Sequence, residues 1–485
     1  MNYMENTKKV RVRMAPSPTG FFHIGSARTA FFNWLFARHH KGDFILRVED
    51  TDAARSSQDM IDVVLKGMAW LGMDKYEGPY FQSQRLSLYK EHVDRLIKAK
   101  KAYYCYCRPE DLDRERKAAY ARKQDWKYDR RCLFLSEQEK KKKEEARIPK
   151  AVRFLVPDQT VMYKDIVFGE ISRDAKDIED FVLQRASGMP TYNLACVVDD
   201  HEMSISHIIR GADHITNTPK QILLYNAFDY KPPQFAHLPL ILGPDKSKLS
   251  KRHGAISVID YKNTGFIPAA VVNYIALLGW SPGDDREIMT LDELIERFSL
   301  ERINPSNAVF DITKLEWMNQ QYIIQMTPTE FQNTLKPYVI TAGLMDEKSI
   351  EQNNDWFQAV CVLVQPRLKT LSEIDQQARY FFKEDFVYDQ KAIEKFSDST
   401  TCMIMDKFLT ELQHIEPFDV PALETNLRNL GEVNGLKVKQ WIHPLRVFTT
   451  GTKAGPPFFD TLVLIGKKRC IDRVARILKK IRENK

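Results

Sequence analysis

The sequence predicts a doubly wound α/β domain with a parallel sheet, interrupted by an inserted α+β segment and followed by a largely helical remainder. Three observations carry this expectation. Close to the start, an alternating strand pattern runs into a proline and glycine turn and then into apolar residues at helical spacing. The same strand, turn and helix order returns after residue 190, and beyond about residue 261 the period is mostly helical.

Lys9 to Met14, "KVRVRM", alternates as a half-buried strand does. It leads into "PSPTGFFHIGSAR", with two prolines, two glycines and a histidine, and then into "ARTAFFNWLFARH", Ala27 to His39, a helix ending near Gly42. Asp43 to Val48, "DFILRV", is a second strand, running into Glu49-Asp-Thr-Asp52. Strand, glycine turn, helix and strand in this order open a doubly wound domain. From about Arg85 to Pro190 a Cys/Tyr cluster, a lysine run and mixed strand signals mark the insertion. The run "EQEKKKKEEAR", Glu137 to Arg147, reads as a solvated helix or loop. Strands are expected again at Tyr192 to Val198 and Ile205 to Ile209, and "GADHITNTPKQILLYNAF" repeats the strand, turn and helix order. The helical remainder has proline-containing breaks near Pro305, Pro328 and Pro417, and no sequence repeat is present.

A chain of 485 residues exceeds one ordinary core, so two to five structural units are expected. An apolar fraction of 43% with 28% charged residues excludes the disordered and membrane classes. "MNYMENTKKV" lacks the apolar centre of a signal peptide, so the cytoplasm is the expected location. Seven cysteines, an odd number, argue for a reducing compartment. The net charge of +7 fits either a polyanionic partner or a solvated surface of mixed sign.

Two stretches carry chemistry. In "PSPTGFFHIGSAR" a strand delivers a glycine turn to a helix N-terminus, where unpaired N–H groups and the positive dipole end suit a phosphate. Gly20 and Gly25 allow close backbone approach, and His23 adds a donor, although no Gly-Lys-Ser/Thr follows as it would in a P-loop. Read alone, this is equally a tight turn with a satisfied histidine. The second stretch, "KLSKR" within "GPDKSKLSKRHGA", concentrates cations between Gly243 and Gly254, as either a surface loop or a phosphate clamp.

Together, the His-x-Gly after the first strand and the Lys-Leu-Ser-Lys after the last one resemble the paired signature of class I aminoacyl-tRNA synthetases. "RMAPSPTGFFHIGSARTA", "LRVEDTD", "GMPTYNLACVVDD", "HIIRGADHITNTPKQ" and "KLSKRHGA" narrow the resemblance to the bacterial glutamyl-tRNA synthetases. "VFDITKLEWMNQQYI" and "QPRLKTLSE" extend it through the helical part, so that it covers essentially the whole chain. Ser26 departs from the wider class, which has a second histidine there, and matches the small residue common in the glutamyl subgroup.

The resemblance implies a Rossmann-type catalytic domain in two halves, 1–85 and 191–243, around an acceptor-stem-binding insertion at 86–190. A KLSKR loop with a helical stem-contact domain at 244–328 and two helical anticodon-binding domains at 329–417 and 418–485 follow. It implies ATP-dependent activation of L-glutamate and transfer to the terminal adenosine of glutamate tRNA by a monomer with no membrane partner. His23, Lys248 and Lys251 are then the catalytic residues, and Thr19, Gly20, His23, Gly25, Gly211, Asp213, Lys248 and Lys251 hold ATP, with Mg²⁺ bridging phosphate oxygens. Arg13, Ala15, Ser17, Glu49, Tyr192 and Arg210 match the glutamate pocket, with Glu49 for the ammonium and the two arginines for carboxylate. A buried ion-pair network is the other reading of these charges. Arg367 falls where discriminating members carry an arginine that reads the anticodon.

Cys105, Cys107 and Cys132 with Tyr128 or a histidine offer a zinc site of the kind some relatives have, or three ordinary buried cysteines. The usual histidine is replaced by Phe at position 134, and tyrosine is a poor zinc ligand at neutral pH. Among rival readings, a glutaminyl-tRNA synthetase shares the catalytic stretches but reads the anticodon with β-barrels, whereas the region after Pro328 is helical in period. A truncated tRNA-modifying paralogue would lack that region. A non-catalytic tRNA-binding paralogue would be expected to have lost His23 or the KLSKR lysines. Charging of glutamine tRNA as well is left open.

Overall fold

The computed structural model describes residues 9–18, 22–51, 57–247, 249 and 257–483. The chain forms two compact units, one from residues 1–261 and 271–312 and one from 262–270 and 313–485.

In the first unit, β1 (Arg11–Met14), α1 (Ile24–His39), β2 (Asp43–Val48), α2 (Gln58–Trp70) and β3 (Glu77–Phe81) form three parallel strands in the order β1-β2-β3. The expected helix after the turn begins three residues early, because His23 caps it. α3 (Leu86–Lys98) leads into β4 (Ala102–Cys105), α4 (Pro109–Ala121), α5 (Glu137–Glu145), β5 (Ala151–Phe154), the hairpin β6 (Thr160–Asp165) and β7 (Gly169–Asp174), and β8 (Val182–Gln184). β4, β5 and β8 make a separate antiparallel sheet. The lysine-rich run is the helix α5, which buries no side chain and is held by a Ser136/Glu139 capping box.

The chain then enters α6 (Tyr192–Glu202), β9 (His207–Gly211), α7 (Thr218–Ala227) and β10 (Gln234–Leu238). The strand expected at Tyr192 to Val198 is thus a helix. Its residues from Leu194 to Asp200 are buried without a break, so no amphipathic period survives to be read. β10 pairs in parallel with β9 along its whole length and with β6 at Phe235 and Asp165. The insertion therefore lends one hairpin to the sheet of β9 and β10. β1 and β9 lie side by side, with the Ser206 N–H donating to the Arg11 carbonyl at 2.9 Å. The chain winds away in opposite directions on either side of this seam, which makes it the place where an open α/β sheet leaves a crevice beyond the strand C-termini.

The second unit is helical. The predicted break at Pro328 is a helix start, with Pro328 in the first turn of Pro328–Thr341 and a Thr327/Glu330 capping box. Phe331, Phe357, Phe408, Trp441, Leu462 and Val474 belong to one continuous core, in which Phe408 and Trp441 stack at 5.0 Å. The last helix, Lys467–Glu483, is fixed by the buried Arg473, which donates to Thr449 O at 2.7 Å and to Glu384 Oε1 at 2.7 Å. No described helix is long and apolar enough to cross a membrane.

Candidate active site

The crevice at the β1/β9 seam holds a cavity of about 430 Å³. Arg13, Ala15 and Ser17 reach it from the end of β1, His23 and Gly25 from the start of α1, and Glu49 from the end of β2. Tyr192 comes from the first turn of α6, and Arg210, Gly211 and Asp213 from the end of β9. The sequence separates these residues by up to 200 positions, and the switch point brings them to one cavity. Thr19, Gly20, Lys248 and Lys251 lie outside the described residues.

His23 differs from the expectation of unpaired helix N–H groups. Its Nδ1 accepts from the backbone of Gly25 at 3.1 Å and of Ser26 at 3.3 Å, so the ring itself caps α1. With Nδ1 acting as acceptor, the neutral ring carries its proton on Nε2. A Cβ at position 25 would come within 3.0 Å of the imidazole, so the glycine permits the fold-back of the ring. At Gly211 a Cβ would meet Asp213 Oδ1 at 2.5 Å; the missing side chain lets this carboxylate lie over the strand end.

The charges at the cavity's amino-acid end are set by a buried layer behind it. Arg13 donates from Nε to Asp200 Oδ1 at 3.0 Å, and Arg47 donates to the same oxygen at 2.6 Å. Arg47 also reaches Glu49 Oε1 at 3.3 Å and pairs with Asp199, while the Cys196 thiol donates to Glu49 Oε1 at 3.0 Å. Burial disfavours the Asp200 charge, but Arg13 and Arg47 outweigh it and hold this carboxyl below its ordinary value. For Glu49 burial wins, and its pKa is raised in spite of Arg47. Arg13 and Glu49 thus belong both to a buried ion-pair network and to the cavity wall.

Arg210 is gripped on three nitrogens: Nε donates to His237 Nε2 at 3.2 Å, NH2 to Thr218 Oγ1 at 2.7 Å and NH1 to the Tyr192 hydroxyl at 3.3 Å. This spends three of five guanidinium N–H groups and leaves one on each terminal nitrogen, the fork that suits a carboxylate. The Tyr192 hydroxyl also meets His214 Nδ1 at 3.0 Å, and burial pushes His214 down to about 4, so this ring is neutral near pH 7.

Sequence reasoning missed His214 and Arg28, both of which line the cavity. Each lies inside a motif of the resemblance, "HIIRGADHITNTPKQ" or "PSPTGFFHIGSAR", next to positions that carry the motif's expected roles. Arg28 donates to the carbonyls of Leu278, at 3.1 Å, and Pro239, and burial draws its pKa down to about 10.

Two predicted sites lie apart from the cavity. The sulfur atoms of Cys105, Cys107 and Cys132 fall within 4.8 Å of one another, with the Tyr128 hydroxyl 3.5 Å from Cys105 Sγ and 3.7 Å from Cys107 Sγ. Cys107 and Cys132 are 3.6 Å apart, close to the ~3.8 Å edge of a tetrahedron with ~2.3 Å zinc–sulfur bonds. Hydrogen bonds from Cys132, Tyr128 and Arg153 draw the Cys105 thiol down to about 4. Phe134 is 76% exposed. In the helical unit, Arg367 is exposed at the end of a 3₁₀ turn rather than on a helix. Burial lowers the pKa of Arg446, Tyr380 opposes this, and Arg367 lies close enough to add a smaller lowering. The buried Tyr380 hydroxyl, which has no hydrogen-bond partner, also feels both arginines.

A family model for "tRNA synthetases class I (E and Q), catalytic domain" matches residues 9–317. The chain belongs to this class I tRNA synthetase family. An anticodon binding domain model matches residues 330–478 of the synthetase. Among similar proteins, the glutamate–tRNA ligase of Moorella thermoacetica is 43% identical, with 98% of this chain and 99% of that protein covered. That of Thermodesulfovibrio yellowstonii is 42% identical over 97% of this chain and 99% of its own length. A crystal structure of a glutamate tRNA ligase from Elizabethkingia meningosepticum in complex with its amino acid superposes with a TM-score of 0.88 at 32% identity, covering 98% of the synthetase chain and 100% of that one.

Proposed function

We propose that this synthetase is a glutamate–tRNA ligase. The observation that carries the reading is the amino-acid end of the cavity, where Arg13, Arg210 and Glu49 meet, while Arg28 is taken up by the carbonyls of Leu278 and Pro239 and Asp213 stands at the strand end. Glutamate at neutral pH carries two carboxylates and one ammonium, which is the complement of this set. The curated relatives named glutamate–tRNA ligase, matched along their whole length, support the same substrate.

In the reaction so read, an oxygen of the glutamate α-carboxylate attacks the α-phosphorus of ATP. The new carboxyl O–P bond forms as the bond to pyrophosphate breaks. A ribose hydroxyl of the terminal adenosine, initially the 2′ hydroxyl, then attacks the acyl carbon, loses its proton and expels AMP. No enzyme nucleophile is needed; positioning and preorganised positive charge carry the rate. His23, held at the start of α1 with its proton on Nε2, is the donor toward the phosphates. Lys248 and Lys251 clamp the departing pyrophosphate, and Mg²⁺ supplies further charge neutralisation. Gly211 and Asp213 stand at the strand end suited to a ribose contact.

The reading includes a structural zinc held by Cys105, Cys107, Cys132 and Tyr128, supported by three sulfur atoms within 4.8 Å of one another and a Cys107–Cys132 distance of 3.6 Å, close to a tetrahedral edge. It also includes an anticodon contact by Arg367, supported by its exposure beside Arg446. A cytoplasmic location is supported by seven cysteines that form no disulfide among the described residues.

Exchange of labelled pyrophosphate into ATP with a panel of amino acids tests the amino-acid choice. Glutamate alone should support exchange, and only when tRNA is added, as the family resemblance implies. Equal exchange with glutamine or aspartate would overturn the assignment of the pocket.

A further inference from the structure

Arg210 owes its orientation to a pair of residues that lie outside the cavity wall. His237, on β10, is fully buried, and its Nε2 receives the Arg210 Nε–H at 3.2 Å and stands 3.0 Å from Thr218 Oγ1. A guanidinium can only donate, so Nε2 bears a lone pair toward Arg210 and the ring proton is on Nδ1. Nδ1 lies 2.7 Å from Asp165 Oδ2, which accepts it. Asp165 is itself buried and fixed, because its other oxygen accepts from the backbone N–H groups of Val167 at 3.0 Å and Phe168 at 2.9 Å.

Asp165 belongs to the insertion and reaches this place only because β6 joins the sheet of β9 and β10. Asp165, His237 and Arg210 therefore form a directed chain of hydrogen bonds running from the insertion to the cavity. Each link fixes the next: the carboxylate sets the tautomer, the tautomer presents a lone pair, and the lone pair aims the guanidinium. A protonated or inverted His237 would set an N–H against the Arg210 N–H.

We propose that Asp165 and His237 are positioning residues for the amino-acid substrate, acting through Arg210. This rests on the reading of Arg210 as a carboxylate grip. Their contribution lies in the glutamate KM rather than in the chemical step, since neither touches the cavity.

Three variants test it in tRNA charging, with KM measured separately for glutamate and ATP. In Asp165→Asn the side-chain oxygen can keep the Val167 and Phe168 bonds, which turns the amide N–H toward His237 Nδ1 and inverts the tautomer. The glutamate KM should rise about tenfold or more, the scale of one hydrogen bond to a charged group, with the ATP KM nearly unchanged. His237→Gln keeps an acceptor for Arg210 and should stay within about threefold of the parent. Arg210→Gln should raise the glutamate KM at least as far as Asp165→Asn does. A parental glutamate KM in Asp165→Asn, equal losses in Asp165→Asn and His237→Gln, or a parallel rise in the ATP KM, would overturn the proposal. An unchanged glutamate KM in Arg210→Gln would instead overturn the reading of Arg210, and the proposal with it.

Discussion

Arg47 and Glu49 meet at 3.3 Å, both buried, so the carboxylate that faces the cavity is held from behind by a guanidinium that does not reach it. Even so, burial leaves the Glu49 pKa raised above 4.5. The ammonium of an amino acid therefore meets a carboxylate that takes up a proton more readily than one in water.

Glutamate affinity should fall on acidification, in a window that begins above the ordinary carboxylate range. The sign follows from the raised pKa: only ionised Glu49 attracts an ammonium, and it is neutralised as pH falls through that value. Calorimetric titration of glutamate between about pH 7 and about pH 5 checks this, since the ligand's own side chain titrates nearer ~4.3. Glu49→Gln should bind more weakly at every pH and show a flat profile; a sloping profile in that variant would move the titrating group elsewhere.

Lys251 lies outside the described residues, and its role is open to a kinetic test. If it meets charge only as pyrophosphate leaves, Lys251→Ala should lower kcat by roughly two orders of magnitude or more, with little change in the glutamate KM. A kcat within a few-fold of the parent would return KLSKR to the status of a surface loop.

Elemental analysis of protein purified without chelator should find about one zinc per chain. Cys105→Ser should reduce that content sharply, because it removes the thiol that ionises most readily in the cluster, at about 4. Substoichiometric zinc that is indifferent to this substitution would make the cluster three buried cysteines.

Arg367→Gln should raise charging of glutamine tRNA relative to glutamate tRNA by about tenfold or more, the scale of one polar base contact. The two anticodons differ at the third base, cytosine against guanine. A guanidinium offers only donors, which suit the acceptors of cytosine and face the donors of guanine. An unchanged ratio of the two activities would reduce Arg367 to a phosphate contact.

The first strand and helix were legible because the alternating Lys9 to Met14 run, the proline and glycine turn and the helically spaced residues after it are distinct local signals. α6 was not, since seven consecutive buried residues erase the period that separates a helix from a buried strand. At the site, motif positions such as Arg13, Glu49 and Arg210 could be named from the resemblance. The capping of α1 by His23 could not, because a turn sequence does not say whether its histidine faces a ligand or its own backbone. Asp165 and His237 carried no signal at all. They are 72 positions apart, and only the pairing of an inserted strand with β10 makes them neighbours.

The most direct measurement is charging itself: purified glutamate tRNA, ATP, Mg²⁺ and labelled amino acid, followed by isolation of the terminal adenosine. Glutamate should be recovered as an ester of that nucleoside, with AMP and pyrophosphate released in equal amounts and no product from labelled glutamine. Esterified glutamine, or tRNA binding without any aminoacyl ester, would contradict a glutamate–tRNA ligase built around Arg13, Glu49 and Arg210.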